Sequence, residues 1–330
     1  MVMTRFMQQH SYKVVGLDSN YFESCELYAP ECQPSVRIVK DIRDVSEEDL
    51  KGVSAIIHLA GLSNDPLGDL NPSLTHEINC DASVKLAKLA KRVGIERFIF
   101  SSSCSLYGIA PDEKPLTETG RLNPITAYAK AKVNTEIEVS KLSSDKFHPV
   151  FMRNATVYGI SPHLRMDLVV NNLVAWAYLT GKVSIMSDGT PWRPIIHVED
   201  LCRAFLAVLE APIEKIHNQA FNVGTNKENY QVKEIAEYVE ALVPNSTVEI
   251  LNKSESDERS YRVDFSKIKR ALPDFKPSWD LKKGIKEIYQ AYKEFGLKKE
   301  DLSSEKYFRV RWIKYLIERK KLDDNLRWIQ

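Results

Sequence analysis

A chain of 330 residues, 43% hydrophobic and 28% charged, has enough apolar content for a sizeable core in one large domain or two closely packed ones. Its formal net charge of +1 gives no bulk electrostatic reason to expect nucleic acid or an anionic membrane as a partner. Cys25, Cys32, Cys80, Cys104 and Cys202 are odd in number, form no C-x-x-C and show no zinc-ligand spacing with a histidine, so they read as reduced thiols in a cytoplasmic protein without a metal site. No run approaches the length of a membrane span and no signal peptide is evident.

Met1 to Gln9 has the spacing of the back half of a helix, with Val2, Phe6 and Met7 on its apolar side. Lys13-Val14-Val15-Gly16-Leu17-Asp18 then reads as a buried parallel strand ending in an acid. In a dinucleotide-binding unit such an acid accepts hydrogen bonds from the adenosine ribose. The usual unit places a strand and a glycine-rich turn before its first helix, yet Gly16 is the first glycine here. The expectation is a sheet with its first strand missing, long unpaired edges, and a true start upstream of Met1.

Val36 to Val39 forms the next strand, leaving through Lys40-Asp41-Ile42. Ala55-Ile56-Ile57-His58-Leu59-Ala60-Gly61 is another, with a small-residue end that lets a ligand approach the backbone. His58 within that run reads as a packed histidine. Asn79 to Val93 is an amphipathic helix closed by Gly94. Phe98-Ile99-Phe100 leads into Ser101-Ser102-Ser103-Cys104-Ser105, an apolar strand with a hydroxyl-rich end. Asn123-Pro124 has the form of an N-cap and first helical residue for a helix carrying Tyr128 and Lys132.

Tyr128 and Lys132 stand four residues apart and so share a helix face. A phenol is a weak base unless a neighbour such as an ammonium favours the phenolate. Ser103, about 25 residues upstream, would hydrogen-bond the same substrate oxygen. The set is suited to moving a proton on or off a sugar-type hydroxyl while a cofactor exchanges hydride. Cys104 reads as a small buried thiol.

The second half is less regular. Asn171-Asn172-Leu173 opens a helix, Asp188 to Pro194 is rich in turn residues, and Ile195 to Asp200 and Ala220 to Gly224 hold short strands. Asp257 to Asp264 reads as a loop mixing arginines, a tyrosine and acids. From Lys276 onward the chain is mostly helical. Its Lys306, Arg309, Arg311, Lys314, Arg319 and Lys320 are interleaved with acids and read as a solvated face. Alternating strands and helices in the first half predict an α/β fold. Its form is a Rossmann-like, doubly wound parallel sheet over residues 1–155, interleaved with a smaller mixed α/β substrate-binding part over 156–330.

Over about residues 5–285 these motifs resemble the extended short-chain dehydrogenase/reductase superfamily, in its nucleotide-sugar epimerase/dehydratase branch. The resemblance implies a catalytic triad of Ser103, Tyr128 and Lys132, with Asn79 as the structural asparagine. It implies cofactor contacts from Asp18, Asp41, Ile42, Leu59, Ala60 and Gly61, with Lys132 on the nicotinamide ribose. It also implies a nucleotide-sugar pocket around Asn171, Asn172, Leu173, Arg193 and Arg259, the two arginines clamping a diphosphate. NAD is expected rather than NADP, because the charge of Asp18 repels a 2′-phosphate. A homodimer is expected from the family. The implied activity is epimerisation or reduction of a nucleotide-activated sugar. Dehydration ranks low, because Cys104-Ser105 stand where sugar 4,6-dehydratases resembling this branch carry an acid pair. Thr156 replaces a frequent asparagine near the sugar diphosphate, which leaves the substrate open. The missing turn raises the alternative of a non-catalytic binding or regulatory protein on the same fold.

Overall fold

The computed structural model describes residues 1–63, 68, 70–109, 114–251 and 259–329. Helix α1 (Val2–Gln9) leads into strands β1 (Val15–Asp18) and β2 (Val36–Val39), which pair in parallel. Next come β3 (Ala55–His58), α2 (Pro72–His76), a π turn (Glu77–Asp81) and α3 (Ala82–Arg92). Then follow β4 (Arg97–Ser103), α4 (Ala127–Ser140) and β5 (His148–Asn154). The second half adds β6 (Thr156–Tyr158), α5 (Val169–Thr180), β7 (Lys182–Ile185), β8 (Trp192–His197), α6 (Val198–Glu210) and α7 (Ile213–Ile216). It continues with β9 (Gln219–Val223), β10 (Asn229–Gln231), α8 (Val232–Leu242), β11 (Thr247–Ile250), α9 (Ser266–Ala271), α10 (Leu281–Glu294) and α11 (Arg309–Glu318).

The central sheet runs β3-β4-β5-β9, all parallel, with Phe100 opposite Phe151 and Ser103 opposite Asn154. Alternation along a strand assigns its side chains to two layers. Phe98, Phe100 and Phe151 pack with Leu86, Ala87 and Ala90 of α3. Ile99, Val150 and Met152 pack on the other side with Met7 of α1 and Phe205 and Val208 of α6. Helices on both faces of a parallel sheet make the doubly wound architecture. A third cluster joins Leu173 and Val174 of α5, Ile235 and Val239 of α8, and Ile285 and Ile288 of α10. It underlies the C-terminal part, where β10-β8-β6 and β11-β7 form small sheets. β9 comes from the second half of the chain yet completes the first-half sheet, so the two parts interleave.

β1 is not buried as expected. Among the described residues it pairs only with β2, β3 pairs only with β4, and no strand joins the two sheets. Val15 is 37% exposed, while Ile99 and Phe100 in β4 are fully enclosed. The helix carrying Tyr128 also starts later than the Asn-Pro pair suggests. Its N-cap is Thr126, whose hydroxyl accepts from the Ala129 N–H at 3.2 Å. Asn123 instead ties down its own loop, donating its backbone N–H to Leu106 O at 3.0 Å. Gly108 closes that loop at φ +64°, where a Cβ would stand 2.0 Å from Asn123 O.

The tail is a second correction. Charged residues there alternate with an apolar stripe, and the stripe packs down onto the first half. Ile313, Leu316, Leu322 and Leu326 join the cluster of Leu86 and Phe98. Trp312 Nε1 donates to Tyr21 O at 2.6 Å and Trp328 Nε1 to Ser19 O at 2.7 Å. Arg309, expected on a solvated face, is only 6% exposed. The tail thus lies over the ends of β1 and β2. Among the described residues no helix is long and apolar enough to cross a membrane.

Candidate active site

β4 delivers its three serines to the carboxyl end of the sheet, and α4 passes beside them. Lys132, 5% exposed, donates from Nζ to Ser101 O at 2.6 Å and lies 5.7 Å from the centre of the Tyr128 ring. Ser103 Oγ accepts from the Ser105 N–H at 3.1 Å, which leaves the hydroxyl proton for donation. The fold therefore brings Tyr128 and Lys132 to the end of the strand that carries Ser103. Burial lowers the Lys132 ammonium to about 8, against the opposing charge of Glu136. Burial, then the Lys132 charge, pushes His58 down to about 3. His58 is a packed neutral histidine, with Nε2 2.7 Å from Ser83 Oγ. Cys104 is fully buried with Sγ on Arg153 O at 3.1 Å, and burial raises its thiol well above the ordinary range.

Behind the triad sits a support that sequence reading misses. Glu136, one turn beyond Lys132 on α4, accepts from Ser102 Oγ at 2.5 Å and from Arg153 Nη2 at 2.7 Å. Arg153 also donates to Glu118 O at 2.9 Å and to Tyr107 Oη at 3.3 Å. Tyr107 Oη in turn donates to Asn222 Oδ1 at 2.6 Å. This buried network ties α4, β4, β5 and β9 together. The partners lie far apart in the chain, so no local motif announces them.

The residues expected at the cofactor stand at or just beyond the carboxyl ends of β1, β2 and β3. Asp18 closes β1 and accepts from the Asn20 N–H at 2.7 Å. Burial works to raise the Asp41 carboxyl, but the Arg43 guanidinium outweighs it and holds Asp41 below its ordinary value, with Nη2 to Oδ2 at 2.7 Å. Ile42 is buried beside it, Leu59 is exposed and Ala60 half-buried. Gly61 sits at φ +148°, and a Cβ there would come 2.9 Å from Asn79 Oδ1. Asn79 grips the next residue from both sides, accepting from Leu62 N–H at 2.7 Å and donating to Leu62 O at 3.0 Å.

The residues expected at the substrate occupy a second cluster. Asn171 accepts from Gly159 N–H at 3.0 Å and donates to Gly159 O and Arg165 O, each at 3.1 Å. Asn172 donates to Met166 O at 2.8 Å, and Leu173 is buried in the C-terminal core. Both amides thereby hold the 159–166 loop in place. Arg193 on β8 donates through Nη1 to the carbonyl of Arg259, so these two arginines adjoin. Asp257 and Glu258 lie outside the described residues.

Among the described residues, one set of possible metal ligands carries no recognisable spacing motif in the sequence. The ligand atoms of His76, Cys80 and Asp81 lie within 4.8 Å of one another. Cys80 does follow His76 at the four-residue helical spacing, and the wider π turn brings Asp81 onto the same side.

A doubly wound parallel sheet with Ser103, Tyr128 and Lys132 at its carboxyl edge defines an extended short-chain dehydrogenase/reductase. The profile of the NAD dependent epimerase/dehydratase family matches residues 2–224, and the chain belongs to that family of enzymes. The UDP-glucuronate 4-epimerase of Thermodesulfobacterium geofontis is 27% identical over 250 residues, 73% of each chain. UDP-glucuronic acid decarboxylase 4 of Arabidopsis thaliana is 29% identical over 272 residues, 79% of this chain but 59% of the plant protein. The structure of UDP-glucuronic acid 4-epimerase from Bacillus cereus with UDP-glucuronic acid and NAD superposes with a TM-score of 0.73 at 22% identity. It covers 89% of this chain and 95% of that one, a shared fold.

Proposed function

We propose that this protein is an NAD-dependent epimerase or reductase of a nucleotide-activated sugar, working in the cytoplasm, with Tyr128 as its acid and base. The observation that carries this reading is Lys132 held against Ser101 O with its ammonium 5.7 Å from the Tyr128 ring, at the strand end that presents Ser103. Asp18 would hold the adenosine ribose, Asp41 and Ile42 would border the adenine, and Leu59, Ala60 and Gly61 would lie over the dinucleotide. The positive φ and absent side chain of Gly61 fit a close backbone approach. NAD, when bound, supplies the electron-pair acceptor for the sugar carbon. NAD is favoured over NADP by the charge of Asp18.

Tyr128, as phenolate, takes the proton from a sugar hydroxyl as that carbon is oxidised. Ser103 donates to the same oxygen and orients it. Lys132 favours the phenolate and would hold the nicotinamide ribose. Returning the proton from Tyr128 when the carbonyl is reduced closes the cycle, on either face of the sugar in an epimerase. Arg193 and Arg259 would clamp the sugar diphosphate, with Asn171, Asn172 and Leu173 shaping the pocket wall. Asp41, already paired with Arg43, would act through the shape of its loop.

The relatives named for UDP-glucuronate favour a uronate as substrate. Oxidising such a sugar at C4 makes a β-keto acid, which can lose carbon dioxide, so epimerisation and decarboxylation share this first step. Cys104-Ser105 provide no carboxylate for a 4,6-elimination. A homodimer remains our expectation for the assembly. The test is conversion of UDP-glucuronate, UDP-glucose and related nucleotide sugars with NAD⁺, followed by chromatography of the sugar products. Conversion of none of them, with the family's cofactor bound, would sink the reading.

A further inference from the structure

Two arginines meet where the 159–167 loop touches the first turn of α11, and their protein partners do not use them up. Arg309 stacks 4.0 Å from the centre of the Phe22 ring and donates from Nη2 to His163 O at 3.2 Å. Its Nη1 is buried and has no hydrogen-bond partner among the described residues. Arg165 lies alongside. Its Nε and Nη2 go to Asp167 at 3.0 and 3.1 Å, and its Nη1 reaches the neutral Ser63 hydroxyl at 3.2 Å, two residues past Gly61. His163 Nε2 is also buried without a hydrogen bond, Glu26 Oε1 standing 3.6 Å away.

A buried charged donor without an acceptor gives up its hydration and gains nothing in return. Native structures keep few such groups, and each calls for an explanation. Burial, then the charge of Arg165, lowers the Arg309 guanidinium to about 10, although Asp167, Cys25 and Asp18 oppose them. What the corner leaves over is one buried guanidinium donor, Arg309 Nη1, while Arg165 already pairs with Asp167 through two of its nitrogens. Its position narrows the choice of anion. Asp18 ends β1 on one side, and Ser63 follows Gly61 on the other, so the arginines lie near the carboxyl edge of the sheet, where doubly wound folds take their ligands. Guanidinium forks match phosphate oxygens, and an arriving anion has only the Ser63 contact of Arg165 to displace.

We propose that Arg309 and Arg165 bind the diphosphate of the dinucleotide, so that α11 of the tail completes the cofactor site. This rests on the NAD reading above. The test is calorimetric binding of NAD⁺, ADP-ribose and adenosine to the wild type, Arg309→Gln, Arg165→Gln and, as a control on the same helix, Lys314→Gln. Each arginine variant is expected to weaken NAD⁺ and ADP-ribose at least about tenfold, to leave adenosine unchanged, and to keep the wild-type melting temperature within a few degrees. Lys314→Gln should bind like the wild type. Inorganic pyrophosphate should compete with NAD⁺ on the wild type, a readout that needs no variant.

Wild-type protein that does not bind NAD⁺ would overturn the cofactor reading itself. Wild-type protein that binds it, with both arginine variants binding equally well, would overturn this inference alone. So would equal weakening of adenosine, loss of UDP-glucuronate rather than NAD⁺ affinity, or failure of pyrophosphate to compete.

Discussion

The two ends of the site treat buried charge in opposite ways. At the catalytic end, Glu136 and Arg153 meet through three hydrogen bonds, and Ser102, Tyr107 and the Glu118 carbonyl take up the rest. At the Asp18 end, Arg309 Nη1 and His163 Nε2 are enclosed without hydrogen-bond partners. A satisfied network holds its geometry before any ligand arrives. An unsatisfied one is better explained by a ligand than by the fold. The comparison concerns the charged groups, since two neutral atoms beside Ser103, Ser105 Oγ and Asn154 Oδ1, are also buried without partners.

The largest effect should come from the reacting group itself. Tyr128→Phe removes the proposed acid and base but keeps the ring, and turnover is expected to fall at least about a thousandfold. Melting temperature and NAD⁺ affinity should stay near wild type, and steady-state assays beside calorimetry check both. Next comes Arg153→Met, which leaves the Glu136 carboxylate buried without its partner. A loss of about 3–5 kcal/mol is expected in denaturant unfolding. Arg309→Met supplies the contrast: without cofactor it should be within about 1 kcal/mol of wild type or more stable, because it removes a buried charge whose Nη1 has no hydrogen-bond partner. Equal losses at the two arginines would erase the distinction between the two ends.

Between these lies Gly61→Ala. The left-handed backbone and the contact with Asn79 Oδ1 predict a loss of about 1–3 kcal/mol, with NAD⁺ affinity falling alongside. A pH-dependent effect concerns Glu228, well away in sequence from either end. Burial raises its carboxyl to about 7, with Tyr230 opposing and Asp280 adding to the rise. The folded protein then holds a proton that the unfolded chain releases. The stabilising contribution is complete below the ordinary glutamate range and is lost as pH rises toward 7 and beyond. Glu228→Gln should flatten that decline, gaining about 1–2 kcal/mol at pH 8 relative to pH 5. Unfolding curves at the two pH values measure it.

Much of the first half was legible because its signals are local. Phe98-Ile99-Phe100 followed by serines marks a strand and its open end within one window, and Tyr128 and Lys132 share a helix face by spacing alone. The buried settings of His58 and Cys104 were legible for the same reason, whereas Asn79 came only with the family resemblance. What sequence reading missed depends on contacts between distant parts. Glu136 and Arg153 look like any charged residues until the sheet sets them side by side. The tail reads as solvated because its charges outnumber its apolar stripe, yet Trp312 and Trp328 reach the backbone of Tyr21 and Ser19. Thr126 caps α4 because the loop uses Asn123 elsewhere, a competition invisible in the Asn-Pro pair. Even the half-exposed β1 follows from which strand lies beside it, and a strand's own residues do not report that.

The most direct test of the account is to incubate wild-type protein and Tyr128→Phe with NAD⁺ and UDP-glucuronate, and to follow the nucleotide sugars by chromatography. The account predicts a new nucleotide sugar from the wild type and none from the variant, although both bind NAD⁺ alike. Equal conversion by Tyr128→Phe would contradict it, because the proton would then travel by another group.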